Sequence, residues 1–564
     1  MTSYAENLNS EAASNGSTTR NAIFWIIAVG ILAHWPALIS DSIMWDDWIV
    51  LSSIIQSRPD WLYHFYSSFG VTPYFIVHYP FITLTQNAAT AIIIAKIIFF
   101  SGVILDAILV MLISKRVAHG NMTFALLAGI FAVCFPTISG EGFHISSIVY
   151  PIFIPLFLIG LYLFIAIASS TKRHIVIRIL ALAILFVSFT LNSALVMFYA
   201  IIPAIFYASL QSKVQNIRNL SQRAVTFCIR NIDFLLIPLI YWWFKERYMP
   251  RLGMYSGYNR VLFNDWQGTL YAYKALLPEM LQSTLFVPLS IAFVPLITGA
   301  IFLVVTFSGR SILKRIEVSS DQTKSQLILL FIFGLIVLCG AAFPYYAVGR
   351  RTFFAYGYLS RDSNLFPLPI SWMTAALFCL FLKSGILLWR RAVVGLMVAL
   401  IAAQCISNWR NHADWQALYA YHRSAMEKIH DDKLVREASV INVIDQIPGD
   451  RSLKAWKYPT SIWTEIISDT FKKTNRLAIP FPPANGRFYT EEELKQRLKE
   501  TAIDYMLGDI NLNGKQIQLS IVPGNGARSP IRLALTYWHA RFIAPADMPK
   551  LLDSLTDIKT IPIN

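Results

Sequence analysis

Residues 20–48 read RNAIFWIIAVGILAHWPALISDSIMWDDW. Arg20 precedes an apolar run, Ala22–Ile39, and the run gives way to Asp41, Asp46 and Asp47 set among tryptophans. At about 1.5 Å per residue the run suits a hydrocarbon core of ~30 Å. No small-residue cleavage site follows it, so it reads as a retained first transmembrane helix rather than a signal peptide. The preceding residues 1–20 are rich in Ser, Asn and Thr and are expected to be disordered.

The rest of the chain supports that reading. It has 564 residues, 55% apolar and only 14% charged, with a mean hydropathy of +0.50. Soluble proteins carry about 25% charged residues, so a soluble fold lacks the polar surface to cover this much apolar chain. Disorder fails for the same reason. The 26 Gly and 26 Pro show no period, which excludes collagen-like and coiled-coil chains. The five cysteines form no CxxC pair or metal spacing and read as small buried hydrophobes.

Further apolar runs predict spans near 88–113, 119–138, 149–169, 178–191, 194–209, 231–245, 284–307, 326–347, 365–383 and 392–408, for about eleven transmembrane helices in all. The 178–209 stretch can also be drawn as one helix bent at Asn192. With the N-terminus inside, about sixteen Lys/Arg fall in cytoplasmic loops and about nine in external ones. A single 178–209 span would invert the later loops against that bias, so two are preferred. The net charge of +15 is therefore mostly topological, and nucleic acid is not an expected partner. Residues 409–564 turn polar and are expected to form a small α/β domain outside the membrane. Within it, Asp414–Ile429 suggests an amphipathic helix, Thr490 with Glu493 a capping box, and Lys515–Val522 and Ile531–Ile543 strands.

Three external segments can carry chemistry. The first loop, 40–87, holds Asp46 and Asp47 at the start of a helix whose Trp45, Trp48, Leu51, Ile54 and Ile55 form an apolar stripe, as in an interfacial helix with Trp at headgroup depth. Either carboxylate suits taking a proton from a hydroxyl or holding a cation; neighbouring helix positions diverge, so one serves the site. The second loop holds Glu141 and His144, one helical turn apart. With Asp46 or Asp47 they offer ligands compatible with Mg²⁺, Mn²⁺ or Zn²⁺, without matching a strong metal motif. The third group, Arg350, Arg351 and Arg361, lies among tyrosines and suits bidentate phosphate contacts. A second basic loop, Arg247, Arg251 and Arg260, competes for that role. Asp106 sits alone within a span, and His34, His64 and His78 read as packed or interfacial.

A first span, a long first external loop and an Asp pair just after that span resemble the GT-C superfamily of integral-membrane glycosyltransferases. The resemblance covers the layout of residues 1–408 and the motif Trp45-Asp46-Asp47-Trp48. It implies transfer of a sugar from a polyprenyl-phosphate donor to an envelope glycan, lipid or protein acceptor, with inversion. It implies a bacterial-type inner membrane, a cytoplasmic N-terminus and a periplasmic tail domain. The catalytic base would be Asp46 or Asp47, and Glu141 would be the second-loop acid that positions metal or phosphate. Two rivals stand beside this reading: an O-antigen or polysaccharide polymerase or ligase, and a non-enzymatic lipid or polysaccharide transporter.

Overall fold

In the computed structural model the described residues are 2–44, 46–85, 87–136, 143–170, 174–210, 217–252, 265–292, 323–350, 363–384, 386–447, 460–471, 476–480, 490–501, 511–526 and 528–562. Helices dominate them. The N-terminal helix α1 spans Thr2–Ile39, and the first loop folds into α2 (Asp47–Ile55), α3 (Pro59–Ser68) and α4 (Pro73–Leu84). The apolar part continues through α5 (Ala88–Val117), α6 (Met122–Cys134), α7 (Tyr150–Ala168), α8 (Ile175–Ser188) and α9 (Ser193–Ser209). It goes on with α10 (Ile217–Arg230), α11 (Ile232–Tyr248), α12 (Trp266–Leu281), α13 (Val287–Ala292), α14 (Lys324–Tyr346) and α15 (Pro367–Leu382). Side-chain caps set several starts: Asn87 Oδ1 accepts from the N–H groups of Ala89 and Thr90, and Thr323 with Gln326 closes a capping box.

Among the described residues, five helices are long and apolar enough to cross a membrane: Thr18–Ile39 within α1, α5, α7, α14 and α16 (Leu387–Asp431). A bent pair, Leu220–Arg230 with Ile232–Tyr248, makes a sixth if it acts as one span. Four of the predicted spans are shorter apolar helices, α6, α8, α9 and α15. Residues 178–209 break into two helices, with Thr190 and Leu191 in the turn. Of the predicted span 284–307, residues 293–307 lie outside the described residues. The chain is thus a helical, membrane-type polytopic protein with a small sheet domain.

That domain contains α17 (Lys433–Glu437), β1 (Val440–Asp445), α18 (Thr460–Phe471), β2 (Leu477–Ile479), α19 (Glu491–Thr501), β3 (Gln516–Pro523), α20 (Pro530–Phe542), α21 (Met548–Leu555) and β4 (Thr556–Pro562). The strand order is β2-β1-β3-β4. β1 runs parallel to β2 and β3, and β4 returns antiparallel to β3. The strand expected at Lys515–Val522 is β3, and the capping box forms: Thr490 N–H donates to Glu493 Oε2 and Glu493 N–H to Thr490 Oγ1.

Four expectations are corrected. Residues 2–20 are helical, because the apolar run extends its ladder into a stretch whose Ser, Asn and Thr each cost only tenths of a kcal/mol. Ile531–Ile543 is a helix, α20. Pro530 occupies its first turn, and its buried Leu533, Ala534, Tyr537 and Trp538 recur at helical spacing. The boundary at 408/409 falls inside α16, which runs 45 residues without a break. Polarity changes along a helix that rises out of apolar surroundings; the backbone does not. Trp409 Nε1–H donates to Leu32 O, and Asn411 Nδ2–H to Pro136 O, clipping α16 to the rest of the bundle at that level.

The fourth correction concerns α2. It is buried from Asp47 to Ile54, so Trp48 is a core residue rather than a headgroup anchor. Its cover is the α/β domain. Met44, Trp48, Leu51 and Ile54 share one apolar core with Val440, Ile441, Trp463, Ile466 and Ile517. The first loop and the tail domain therefore fold as one body around a common core.

Candidate active site

The site begins at the start of α2. Asp46 takes the N-cap position and Asp47 the first turn. Asp46 is half-buried, whereas Asp47 is 2% exposed. The chain closes locally on the buried acid: Asp47 N–H donates to Met44 O at 2.9 Å, and Met44 N–H donates to Asp47 Oδ2 at 3.0 Å. The helix N-terminus adds its dipole.

The second loop supplies the partner. His144 Nδ1 stands 2.8 Å from Asp47 Oδ2. The contact sets the imidazole directly against the carboxylate. Ser146 donates twice to Asp47 Oδ1, from N–H at 2.9 Å and from Oγ–H at 2.7 Å. Burial pushes the Asp47 carboxyl up. The His144 imidazole and the Ser146 donors outweigh that and hold it below its ordinary value. Asp47 is thus a carboxylate with both oxygens occupied, while His144 Nε2 is buried with no hydrogen-bond partner.

Backbone strain aims His144. Phe143, just before it, has φ +57°, a left-handed conformation that bulky residues rarely adopt and that costs about 1–3 kcal/mol. Packing holds it there: its ring stacks on Phe99 with centroids 4.4 Å apart and meets His412 edge-on at 5.0 Å. His78 on α4 fastens the same segment, with Nε2 3.0 Å from Ile145 O and Nδ1 2.8 Å from Tyr74 O. Burial lowers the His78 pKa and favours the neutral imidazole, whose single N–H donates to one of these two carbonyls. His34 is packed as expected, its Nε2 2.8 Å from Val133 O.

Several residues around the pair were not singled out as site residues by the sequence reading. Lys96 on α5 is buried, reaches Ser42 Oγ at 3.4 Å and interacts electrostatically with Asp41 and Asp47. A lone lysine in an apolar helix is the signal that marks it. His412 on α16 is buried, with Nε2 unpartnered, and its ring meets that of His34 edge-on at 6.0 Å. Asp41 ties the loop to the tail: Gln416 Nε2–H donates to Oδ1 at 2.9 Å, Tyr537 O–H donates to Oδ2 at 3.0 Å, and Arg541 pairs with Oδ2 at 3.2 Å.

The remaining predicted residues divide. Glu141, Arg351 and Arg361 lie outside the described residues, as do Trp45 and Arg260. Arg350 ends the turn after α14, its N–H donating to Tyr345 O at 2.9 Å. The loop of Arg247 and Arg251 packs on the first loop through Leu252 N–H to Ser68 O at 3.0 Å. Asp106 lines a cavity of about 40 Å³ with Phe99, Tyr150 and Leu368, and its Oδ1 is buried without a partner. Among the described residues no group of three or more His, Cys, Asp or Glu is gathered for a metal. Both Asp47 oxygens are taken and His144 Nε2 is free, so these two do not form a metal site by themselves. No family model matches the chain, and no curated protein is significantly similar to it in sequence.

Proposed function

We propose that this chain is a membrane glycosyltransferase of GT-C type with about eleven spans. It would transfer a sugar from a polyprenyl-phosphate donor to a hydroxyl of an envelope glycan, lipid or protein. The observation that carries this reading is the buried Asp47–His144 pair, whose outer nitrogen is unoccupied, at the mouth of an apolar helical bundle. A carboxylate that orients an imidazole and supports its positive charge is an efficient way to make a base.

This changes the roles expected from sequence. A low-pKa carboxylate with three hydrogen-bond donors and an imidazole around it is a poor proton acceptor, so Asp47 positions His144, and His144 Nε2 is the base. It takes the acceptor proton as the acceptor oxygen bonds to the anomeric carbon and the bond from that carbon to the donor phosphate breaks, with inversion. The electron pair leaves on the phosphate. Lys96 and Arg350, with Arg351 and Arg361 of the same external loop, are the cations assigned to that developing charge. A divalent ion, if used, would need Glu141 or Asp46 in addition to this pair.

One observation favours the transporter as second reading: α5 carries two ionisable side chains, buried Lys96 and half-buried Asp106, and such groups mark polar pathways through membranes. Purified protein supplied with polyprenyl-phosphate sugar and acceptor separates the two. Sugar transfer that His144→Ala abolishes and Lys96→Met weakens supports the enzyme. Absence of transfer together with movement of lipid across a vesicle membrane supports the transporter. The orientation has its own test: a reporter active only in the cytoplasm, fused after Asn564, stays silent if the tail is periplasmic.

A further inference from the structure

The face of α2 away from Asp47 carries a second buried acid cluster. Glu465 is 4% exposed on α18, and Asp469 lies one turn further along the same helix. They meet Ser52 and Gln56 from the first loop. Gln56 Nε2–H donates to Ser52 Oγ at 2.9 Å and reaches Asp469 Oδ1 at 3.4 Å, and the Ser52 side chain hydrogen-bonds both acids. Asp469 Oδ2 and the neighbouring Ser468 Oγ are buried with no partner. The cluster is thus a seam between the two parts of the shared core, with two carboxyl groups close together in it.

Among the described residues, the charges that face this seam are few. From the loop after α2, Arg58 acts on Glu465. From α16, His422 lies on the Trp463 side, 3.7 Å from Asp445, and exposed His430 stands 3.3 Å from Thr470 O. Arg476 before β2 covers Phe471 and donates to Val435 O. Of these only Arg58 offsets charge on Glu465. Two buried carboxylates side by side are unfavourable, and a proton on either removes the repulsion and supplies a donor for an unpartnered oxygen.

We propose that Glu465 and Asp469 form a proton-dependent latch that clamps the tail domain onto the helix bearing Asp47. Burial pushes Glu465 up to about 7 and, with repulsion from Glu465, raises Asp469 well above its ordinary range. The sign follows. The docked seam binds protons that the separated acids would release, so docking is strongest in acid. It weakens as pH rises from the ordinary carboxylate range through neutrality. Ser52 sits five residues from Asp47 on the same short helix, so a loosened seam reaches the site. The latch holds whatever the site transfers.

Hydrogen exchange on the purified full chain in lipid nanodiscs tests it. After correction for intrinsic rates, protection of residues 47–56 and 460–471 is expected to fall at least about tenfold between about pH 5.5 and about pH 8, the ratio that corresponds to one linked pKa unit. Glu465→Gln with Asp469→Asn should keep both segments protected and flatten the dependence, while His430→Gln should leave it unchanged. A flat wild-type profile overturns the proposal, and this result needs no variant to fold. So does a folded double variant that keeps the wild-type slope, or a slope that disappears with His430.

Discussion

The two ends of α2 bury acids in opposite states. At its start, Asp47 is held as a carboxylate by an imidazole and three N–H or O–H donors. One turn and a half later, Glu465 and Asp469 meet a hydroxyl, an amide and each other, and burial favours their neutral forms. Depth does not separate the two clusters, since Asp47 and Glu465 are both buried and Asp469 is half-buried with its Oδ2 enclosed. Their partners do. An acid given an imidazole and oriented donors stays charged and can organise chemistry; a pair of acids set mostly among neutral partners becomes a proton sensor.

The largest expected effect is at the charged end. His144→Ala and Asp47→Asn should each lower sugar transfer by about 10²–10⁴, the scale for losing a base or the acid that orients it. Single-turnover assays with polyprenyl-phosphate sugar read this directly. Normal transfer by both variants would remove the dyad from the mechanism.

Stability should separate the ends next. Asp47→Ala leaves the Met44 and Ser146 donors without their acceptor and should cost about 1–3 kcal/mol, as for an unsatisfied buried donor; thermal unfolding in one fixed detergent measures it. Because the folded Asp47 pKa is depressed, the stability from this pair is complete above the ordinary carboxylate range. It is lost as pH falls below that range. Glu465→Gln should show the reverse: little effect in acid, where the wild-type group is already neutral, and a gain above about pH 7, where wild type has lost the proton. A uniform loss at all pH values would mean that Glu465 is needed as a charge.

The smallest effect belongs to Asp46. It is half-buried at the N-cap position of α2, with helical backbone angles, and Asp46→Asn should cost about 0.3–1 kcal/mol of helix-end electrostatics. Its effect on transfer should stay under about tenfold, far below that of Asp47→Asn. Equal effects would show that the two acids act together, and the contrast between the half-buried and the buried neighbour would fall.

Part of the site was legible. The Asp pair after the first apolar run, and a histidine in the next loop on the same side, were readable because a membrane span fixes which loops face each other. Which Asp matters was not readable: helix geometry says that neighbours diverge, but only packing shows which one turns inward. Lys96 was hidden within an apolar run, where one charge barely changes the hydropathy. The neutral acid seam was invisible, since Ser52 and Glu465 are more than 400 positions apart and neither stands in a motif.

Composition and apolar runs determined that this is a helical membrane protein, because only helices and closed barrels satisfy the backbone in lipid. The change in polarity after the last apolar run marked a second kind of surface. Tertiary structure alone decided how this surface joins the rest of the chain. α16 continues unbroken through the change, and the first loop and the sheet share one core. It also decided the charge states of the buried acids. The physical reason is the same in both cases: burial and partner identity depend on contacts between distant segments, and local pattern carries no record of them.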